Sequence, residues 1–284
     1  MRIESISWSH QDLLSNLFKK ISPTISEYTF ANLYLFREIH RYTIISTPNR
    51  IWISGVTRDD YSFIMPTEAL SEIKPDEYLP LLTNVDFLFP IQEEWLPHLN
   101  PDQFTFNYNE MDSDYLFDTE KMRTFKGRHL SNKRNLVKQL LTNHKVEYFP
   151  LTTEKANEAL NVLEIWNNEY TGKEDVTDYS SCKEAIQLLY RLKLEGLIFH
   201  IDGDACAFLI GEKMNSEQYL LHFAKACRQV KGLNQYIYQA LAQSLDPKIK
   251  FLNLEQDLGS PSMRQAKHSY HPDRMIHKWR VALS

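Results

Sequence analysis

The sequence predicts an α+β protein of two domains, each a mixed, mostly antiparallel sheet flanked by helices. Three observations carry this reading. Short β-like runs and amphipathic helical stretches alternate in both halves of the 284 residues. A charge switch divides the halves: residues 1–120 hold 8 Lys and Arg against 19 Asp and Glu, whereas residues 121–284 hold 24 against 18. The switch is abrupt, because Lys121 to Lys145 contains eight Lys and Arg and no acid. The expected domains are 1–117 and 118–284.

In the first half, Ser9 caps a helix whose Leu13, Leu14, Leu17 and Phe18 share one face. Ser26–His40 reads as a second helix, with Tyr28, Ala31, Leu35 and Ile39 on one side. Tyr42–Thr47, Arg50–Gly55 and Tyr61–Pro66 read as strands, punctuated by Pro48-Asn49 and Arg58-Asp59-Asp60. Pro75–Leu82, Val85–Phe89 and Ile91–Leu99 follow as helix, strand and helix, and Phe104–Tyr108 as a closing strand.

In the second half, Arg128–Asn143 is an amphipathic helix. Leu136, Val137, Leu140 and Leu141 form its apolar face, and Lys133, Arg134 and Lys138 surround it. Thr153–Tyr170 places Ala159, Leu160, Leu163 and Trp166 inward, and Ser181-x-x-Glu184 has the form of a capping box for a helix through Leu192. Gly196–Ile201 and Ala205–Lys213 form a hairpin about Asp202-Gly203-Asp204, where glycine supplies a positive φ. Gln218–Cys227 adds a strand, Leu233–Leu245 a helix and Lys250–Leu254 another strand. Pro261 sits in the first turn of a short helix, and Met275–Leu283 closes the chain as a strand.

Composition narrows the class. At 43% hydrophobic, 24% charged and 12% aromatic, the chain is ordinary for a globular protein and too aromatic for disorder. No stretch approaches the ~18 uninterrupted apolar residues of a membrane span, and the N-terminus lacks an apolar signal region. Cys182, Cys206 and Cys227 are scattered and contain no CxxC pair, which argues against a disulfide framework and a structural zinc site. A reducing, cytoplasmic location is the default. No residue cluster has metal-ligand spacing, so no metal is expected and no cofactor is required. The basic run points to tRNA or another polyanion, or to peripheral contact with anionic lipid. A solvated face paired with the acidic half explains the same charges.

Gln229-Val-Lys-Gly232-Leu-Asn234 runs from a strand into a helix. It resembles the Gln/Arg-x-x-Gly-x-Gly/Ala loop of the GNAT N-acyltransferases, whose backbone N–H groups hold the pyrophosphate of coenzyme A. Asn234 departs from the small residue of that pattern. Longer strings run from Phe125 to Asn135, from Phe251 to Gly259 and from Met263 to Pro272. They resemble the family sharing the catalytic C-terminal region of phosphatidylglycerol lysyltransferase, and Ser26–Tyr34 is similar too. The resemblance implies two GNAT-like domains in tandem. It also implies transfer of an aminoacyl group from aminoacyl-tRNA to a phospholipid head group or other amine or hydroxyl acceptor. The alternatives are a coenzyme A-dependent N-acyltransferase and a catalytically silent protein that binds RNA or anionic lipid. Two departures stand out. The third strand reads His222-Phe-Ala224-Lys225 where the family often reads His-x-Glu-Lys, and Pro261-Ser262 replace an acidic residue and a glycine.

Aminoacyl transfer needs a cationic grip on phosphate, a positioned acceptor and a route for the nucleophile's proton. The ester of an aminoacyl-tRNA is already activated, so positioning supplies much of the rate. Lys126, Arg128, Lys133 and Arg134 are the expected phosphate contacts, with Gln229, Gly232 and Asn253 bordering the donor. Arg264 and Lys267 lie three apart on one helix face, where they clamp phosphate or pair with Glu255 or Asp257. Asp257 binds an amine or accepts a proton, or else caps the next helix. Tyr270 protonates a leaving oxygen or packs in the core. His222 reads as a satisfied structural histidine. The reactive centre is expected in the second domain, between Gly232 and the helix carrying Arg264 and Lys267.

Overall fold

A computed structural model of the chain describes residues 1–169 and 178–284. In chain order the elements begin with β1 (Arg2–Ser5), α1 (Gln11–Ile21), α2 (Phe30–Leu35), β2 (Thr43–Ser46), β3 (Ile51–Val56), β4 (Ser62–Pro66) and α3 (Pro75–Leu82). Next come β5 (Phe87–Ile91), β6 (Phe104–Tyr108), β7 (Asp114–Asp118), α4 (Thr119–Thr124), α5 (Ser131–Asn143), β8 (Val146–Pro150) and α6 (Ala156–Asn168). The chain continues through α7 (Tyr179–Gln187), β9 (Glu195–Ile201), β10 (Asp204–Lys213), β11 (Gln218–Ala226) and α8 (Leu233–Ser244). It ends with β12 (Phe251–Asn253), α9 (Pro261–His268), β13 (Arg274–Ile276) and β14 (Trp279–Leu283).

These elements form two units. The first comprises Met1–Tyr115, Glu255–Lys267 and Arg274–Ser284; the second comprises Leu116–Leu254 and His268–Asp273. The expected second domain, unbroken over 118–284, is therefore corrected. The physical reason is β14, which lies between β5 and β6 in the first sheet. Trp279 pairs with Ile91 and Tyr108, and Val281 pairs with Leu88 and Phe106. Val281 is fully buried, so the last strand completes the first core.

The first sheet has the order β1-β2-β3-β4-β5-β14-β6. β4 and β5 are parallel because α3 joins them, and the other pairs are antiparallel. Trp52, Ile53, Met65 and Leu88 fill the core with Leu14 and Phe18 of α1. The expected helix Ser26–His40 shrinks to α2, capped by the Thr29 hydroxyl accepting from the Asn32 N–H at 3.1 Å. Every residue of α2 is buried, so it has no solvent face. The expected helix Ile91–Leu99 is a 3-10 turn over Glu93–His98, where Pro97 removes an N–H.

The second unit has the strand order β7-β12-β11-β10-β9-β8. The β9–β10 hairpin turns on Asp202 (φ 54°) and Gly203 (φ 103°), the two positive φ values of a type I′ turn. β11 and β12 run parallel only from Gln218–Phe251 to Leu220–Asn253, so β11 extends past the end of β12. α5, α6 and α8 bury Leu140, Val162, Leu163 and Ile237. α7 starts at Tyr179, so Ser181 is a buried helix residue rather than a cap. Tyr170, expected on α6, lies outside the described residues. The expected strand Met275–Leu283 breaks at His277-Lys278 into β13 and β14. Among the described residues no helix is long and apolar enough to cross a membrane.

Gly232 holds the N-cap of α8 at φ 90°. A Cβ there would sit 2.4 Å from the Leu136 carbonyl oxygen of α5. Gly232→Ala combines a left-handed backbone with a backbone clash, and is expected to destabilise the fold by about 2 kcal/mol or more. Urea denaturation checks this. An unchanged midpoint would show that α5 does not constrain the glycine.

Candidate functional site

The first unit carries a buried charged cluster centred on Lys278, whose side chain has no solvent exposure. Its amine donates to Ser26 Oγ at 3.0 Å, Glu27 Oε1 at 2.8 Å and Gln256 Oε1 at 2.9 Å, and it lies 2.8 Å from Asp114 Oδ1. Ser26 and Glu27 are available because α2 starts only at Phe30. Asp114 opens β7, and its carboxylate accepts the Ser26 N–H at 2.8 Å and the Ser26 hydroxyl at 3.0 Å. Burial pushes Glu27 up to about 7, with the Asp114 charge adding to the rise and Lys278 opposing it. Burial disfavours the Lys278 charge, but Asp114 and Glu27 outweigh it and raise the pKa. The cluster therefore holds an exchangeable proton near neutral pH.

The segment after β12 supplies the other members. It turns sharply, with positive φ at Glu255 (57°), Leu258 (55°) and Gly259 (74°). The Glu255 carbonyl accepts the Tyr115 N–H at 3.2 Å, and its carboxylate accepts from Asn32 at 2.9 Å. Asp257 is fully buried. It accepts from the Tyr115 hydroxyl at 2.6 Å, Arg264 Nε at 2.7 Å, Arg264 Nη2 at 3.1 Å and the Gly259 N–H at 2.9 Å. Burial raises its pKa, but the bonds from Arg264, Tyr115 and Gly259 prevail and hold it below the usual range. Burial, reinforced by Asp257, lifts Tyr115 to about 12. Asp257 is thus an ionised anchor with its acceptor sites filled, so the expected role as proton acceptor or amine ligand is corrected.

Arg264 pairs with Asp257 through Nε and Nη2, while its side chain remains 39% exposed. This is the pairing that competed with the phosphate clamp in the sequence reading. The Lys267 amine donates to the carbonyls of Glu255 at 3.1 Å and Gln256 at 2.5 Å, and lies 5.4 Å from the Tyr115 ring centroid. Burial pulls its pKa down to about 8, against the carboxylates of Glu255, Asp114 and Asp257. An amine poised this way exchanges protons in the neutral to mildly alkaline range.

The remaining predicted residues lie in the second unit, so the structure does not gather the expected set in one domain. Tyr270 is buried against Phe117, Phe125 and Tyr238, with the Lys133 amine 4.2 Å from its ring centroid. That packing favours the core role of its two expectations over the acid, and burial pushes its pKa far up. Lys133 donates to Ser269 Oγ at 2.7 Å, and burial lowers its pKa. Arg134 donates to the carbonyls of Phe125 and Gly127. Lys126 and Arg128 are exposed. Asn253 is fully buried at the end of β12, opposite Leu116 and Leu220. Gln229 is exposed and donates to Glu169 at 3.3 Å, while the Arg228 N–H donates to the other Glu169 oxygen at 3.1 Å. A protein carboxylate thus lies at the start of the loop expected to hold pyrophosphate.

His222 Nε2 donates to Glu212 Oε1 at 3.0 Å, and Lys225 grips both Asp178 oxygens at 2.7 and 2.8 Å. Ala224 leaves that strand without its carboxylate. Sequence reasoning missed Glu27, Asp114, Tyr115 and Lys278. Glu27 lies within a recognised string, but nothing local marked its burial. Among the described residues no group of three or more His, Cys, Asp or Glu is placed to hold a metal.

The family model described as phosphatidylglycerol lysyltransferase, C-terminal, matches residues 18–282. No curated protein matches the sequence significantly. Among solved structures, a conserved protein of unknown function from Bacteroides thetaiotaomicron is 21% identical with a TM-score of 0.85, covering 100% of both chains. The C-terminal domain of a lysylphosphatidylglycerol synthetase from Agrobacterium fabrum is 13% identical, with a TM-score of 0.65 over 96% of this chain and 92% of that one. L-PGS from Bacillus licheniformis is 12% identical, with a TM-score of 0.60 over 95% and 91%. The architecture is a tandem GNAT-like α+β fold.

Glu27 sets a pH signature for stability. Its folded pKa of about 7 exceeds the ordinary 4.5. The native chain therefore keeps a proton that the unfolded chain releases between these values. The resulting stabilisation is complete below pH 4.5 and is lost as pH rises through 7. Glu27→Gln should remove that decline, as read by urea unfolding at stepped pH. Equal pH slopes in variant and wild type would assign the titration to another group.

Proposed function

Because the chain belongs to the phosphatidylglycerol lysyltransferase C-terminal family, we propose that it is an acyltransferase that moves an aminoacyl group from aminoacyl-tRNA to a phospholipid head group or other amine or hydroxyl acceptor. The observation that carries the reading is Lys267. Its amine is held by two backbone carbonyls, and burial brings it to about 8. In its neutral form it accepts the proton of the attacking hydroxyl or amine. The nucleophile then bonds to the ester carbonyl carbon. Collapse of the tetrahedral intermediate breaks the bond to the ribose oxygen, which recovers the proton from Lys267. Arg264, oriented by Asp257, offers its remaining N–H groups to an acceptor phosphate or the developing oxyanion. Glu27, Asp114 and Lys278 fix the surrounding charges before the substrates arrive.

A coenzyme A thioester is the weaker donor on present geometry. Glu169 binds the Arg228 N–H and the Gln229 side chain at the start of the loop, and α5 packs beside Gly232. A pyrophosphate there would face a carboxylate.

The test is transfer of radiolabelled amino acid from charged tRNA to extractable phospholipid. After correction for spontaneous ester hydrolysis, kcat/KM is expected to rise with pH and level off above about 8. Lys267→Met is expected to lower kcat about 10²-fold or more. Lys267→Arg, which preserves the charge but not the titration, should lose the limb near pH 8. A wild-type profile retained by Lys267→Arg would remove the amine from the chemistry. Transfer from acyl coenzyme A but not from charged tRNA would replace the donor.

A further inference from the structure

The second unit holds a cavity of about 430 Å³ that the proposed chemistry leaves unused. Lys126, His129 and His271 are among its lining residues, with Leu130 and Pro272 as the apolar ones. Asp273 is the acid of the lining, and its charge is already matched. It pairs with Lys121 and accepts the Asp118 N–H at 2.8 Å. An incoming anion therefore meets a neutralised carboxylate.

The cations nearby are held ready. Arg134 grips the carbonyls of Phe125 and Gly127, and Gly127 takes φ 104°, a value that favours glycine. The loop is thus shaped by Arg134 and its own backbone. The side chains of Lys126 and Arg128 remain exposed, with no hydrogen bond or ion pair among the described residues. The His129 and His271 rings stand 5.1 Å apart, and each imidazole can donate to an oxyanion.

We infer that this cavity binds one nucleotide unit of single-stranded RNA. The phosphate meets Lys126 and the two imidazoles, and the sugar and base lie against Pro272. The inference rests on the reading of an RNA-borne donor. A volume of about 430 Å³ falls in the range of small-molecule sites, and a bare phosphate leaves most of it empty. A lipid head group fits the site less well. Among the described residues, the exposed large apolar side chains Leu141, Tyr148, Phe149, Ile165 and Tyr190 do not line the cavity, so its lining offers acyl chains little.

The probe is the 5′-phosphorylated RNA trinucleotide CCA, titrated calorimetrically into the full chain at low salt. The wild type binds it. Lys126→Ala combined with His129→Ala weakens binding at least tenfold and flattens the dependence of log K on log salt by about one unit. Lys138→Ala, an exposed cation on α5 outside the lining, leaves binding as it was. Thermal melts of all variants match, because among the described residues none of the mutated side chains makes a hydrogen bond or ion pair. Phosphatidylglycerol vesicles in phosphatidylcholine do not compete. The inference is overturned if the wild type does not bind the trinucleotide or the double variant binds it equally well. It is also overturned if vesicle binding, rather than RNA binding, is what the double variant loses. Trinucleotide binding that behaves as stated in a chain unable to transfer from tRNA would sink the catalytic reading alone. Transfer by a wild-type chain whose trinucleotide binding ignores the double substitution would sink the cavity alone.

Discussion

The first unit is organised around the need to neutralise one buried ammonium group. Lys278 has no access to water, so its charge must be met by protein. Ser26, Glu27, Asp114 and Gln256 meet it from three other stretches of chain. Removing a single partner from such a cluster typically costs about 3–5 kcal/mol, because the remaining charge is left uncompensated. The requirement explains local departures from propensity. Ser26 and Glu27 stay out of the helix and reach Lys278, and the last strand breaks at His277-Lys278 instead of continuing.

The same cluster prepares the next layer. Gln256 serves Lys278 with its side chain and Lys267 with its carbonyl, so the two lysines are fixed through one residue. Glu255 and Leu258 adopt left-handed backbone conformations that disfavour ordinary side chains. The bonds from Tyr115, Asn32 and Lys267 to Glu255 offset that strain. Asp257 spends its capacity on orienting Arg264. Rigid placement of this kind suits the proposed aminoacyl transfer, whose ester is already activated.

The second unit shows why charge counts along a chain overstate its available cations. Of the basic run from Lys121, Lys121 is bound to Asp273, and Arg123 caps the carbonyls of Ala242 and Leu245 at the end of α8. Lys133 covers the Tyr270 ring, and Arg134 holds the loop from Phe125 to Gly127. Lys126 and Arg128 stay exposed to solvent. Much of the run is thus taken up by partners within its own unit rather than by the acidic half, and its exposed members are fewer than its charge count.

By itself the sequence determined the local elements and the family. The hairpin at Asp202-Gly203, the amphipathic α5 and α6, the helix after Gly232 and the strand–helix order all follow from periodicity and turn chemistry, which act over a few residues. Arg264 and Lys267 were legible because helix spacing places them on one face. Tertiary structure alone decided that β14 completes the first sheet, that Glu27, Asp114 and Lys278 meet, and that Asp257 is an anchor rather than a base. Those outcomes depend on contacts between residues far apart in the chain. Burial there sets both the charge state and the available partners, and no short stretch of sequence encodes how much water a side chain will keep.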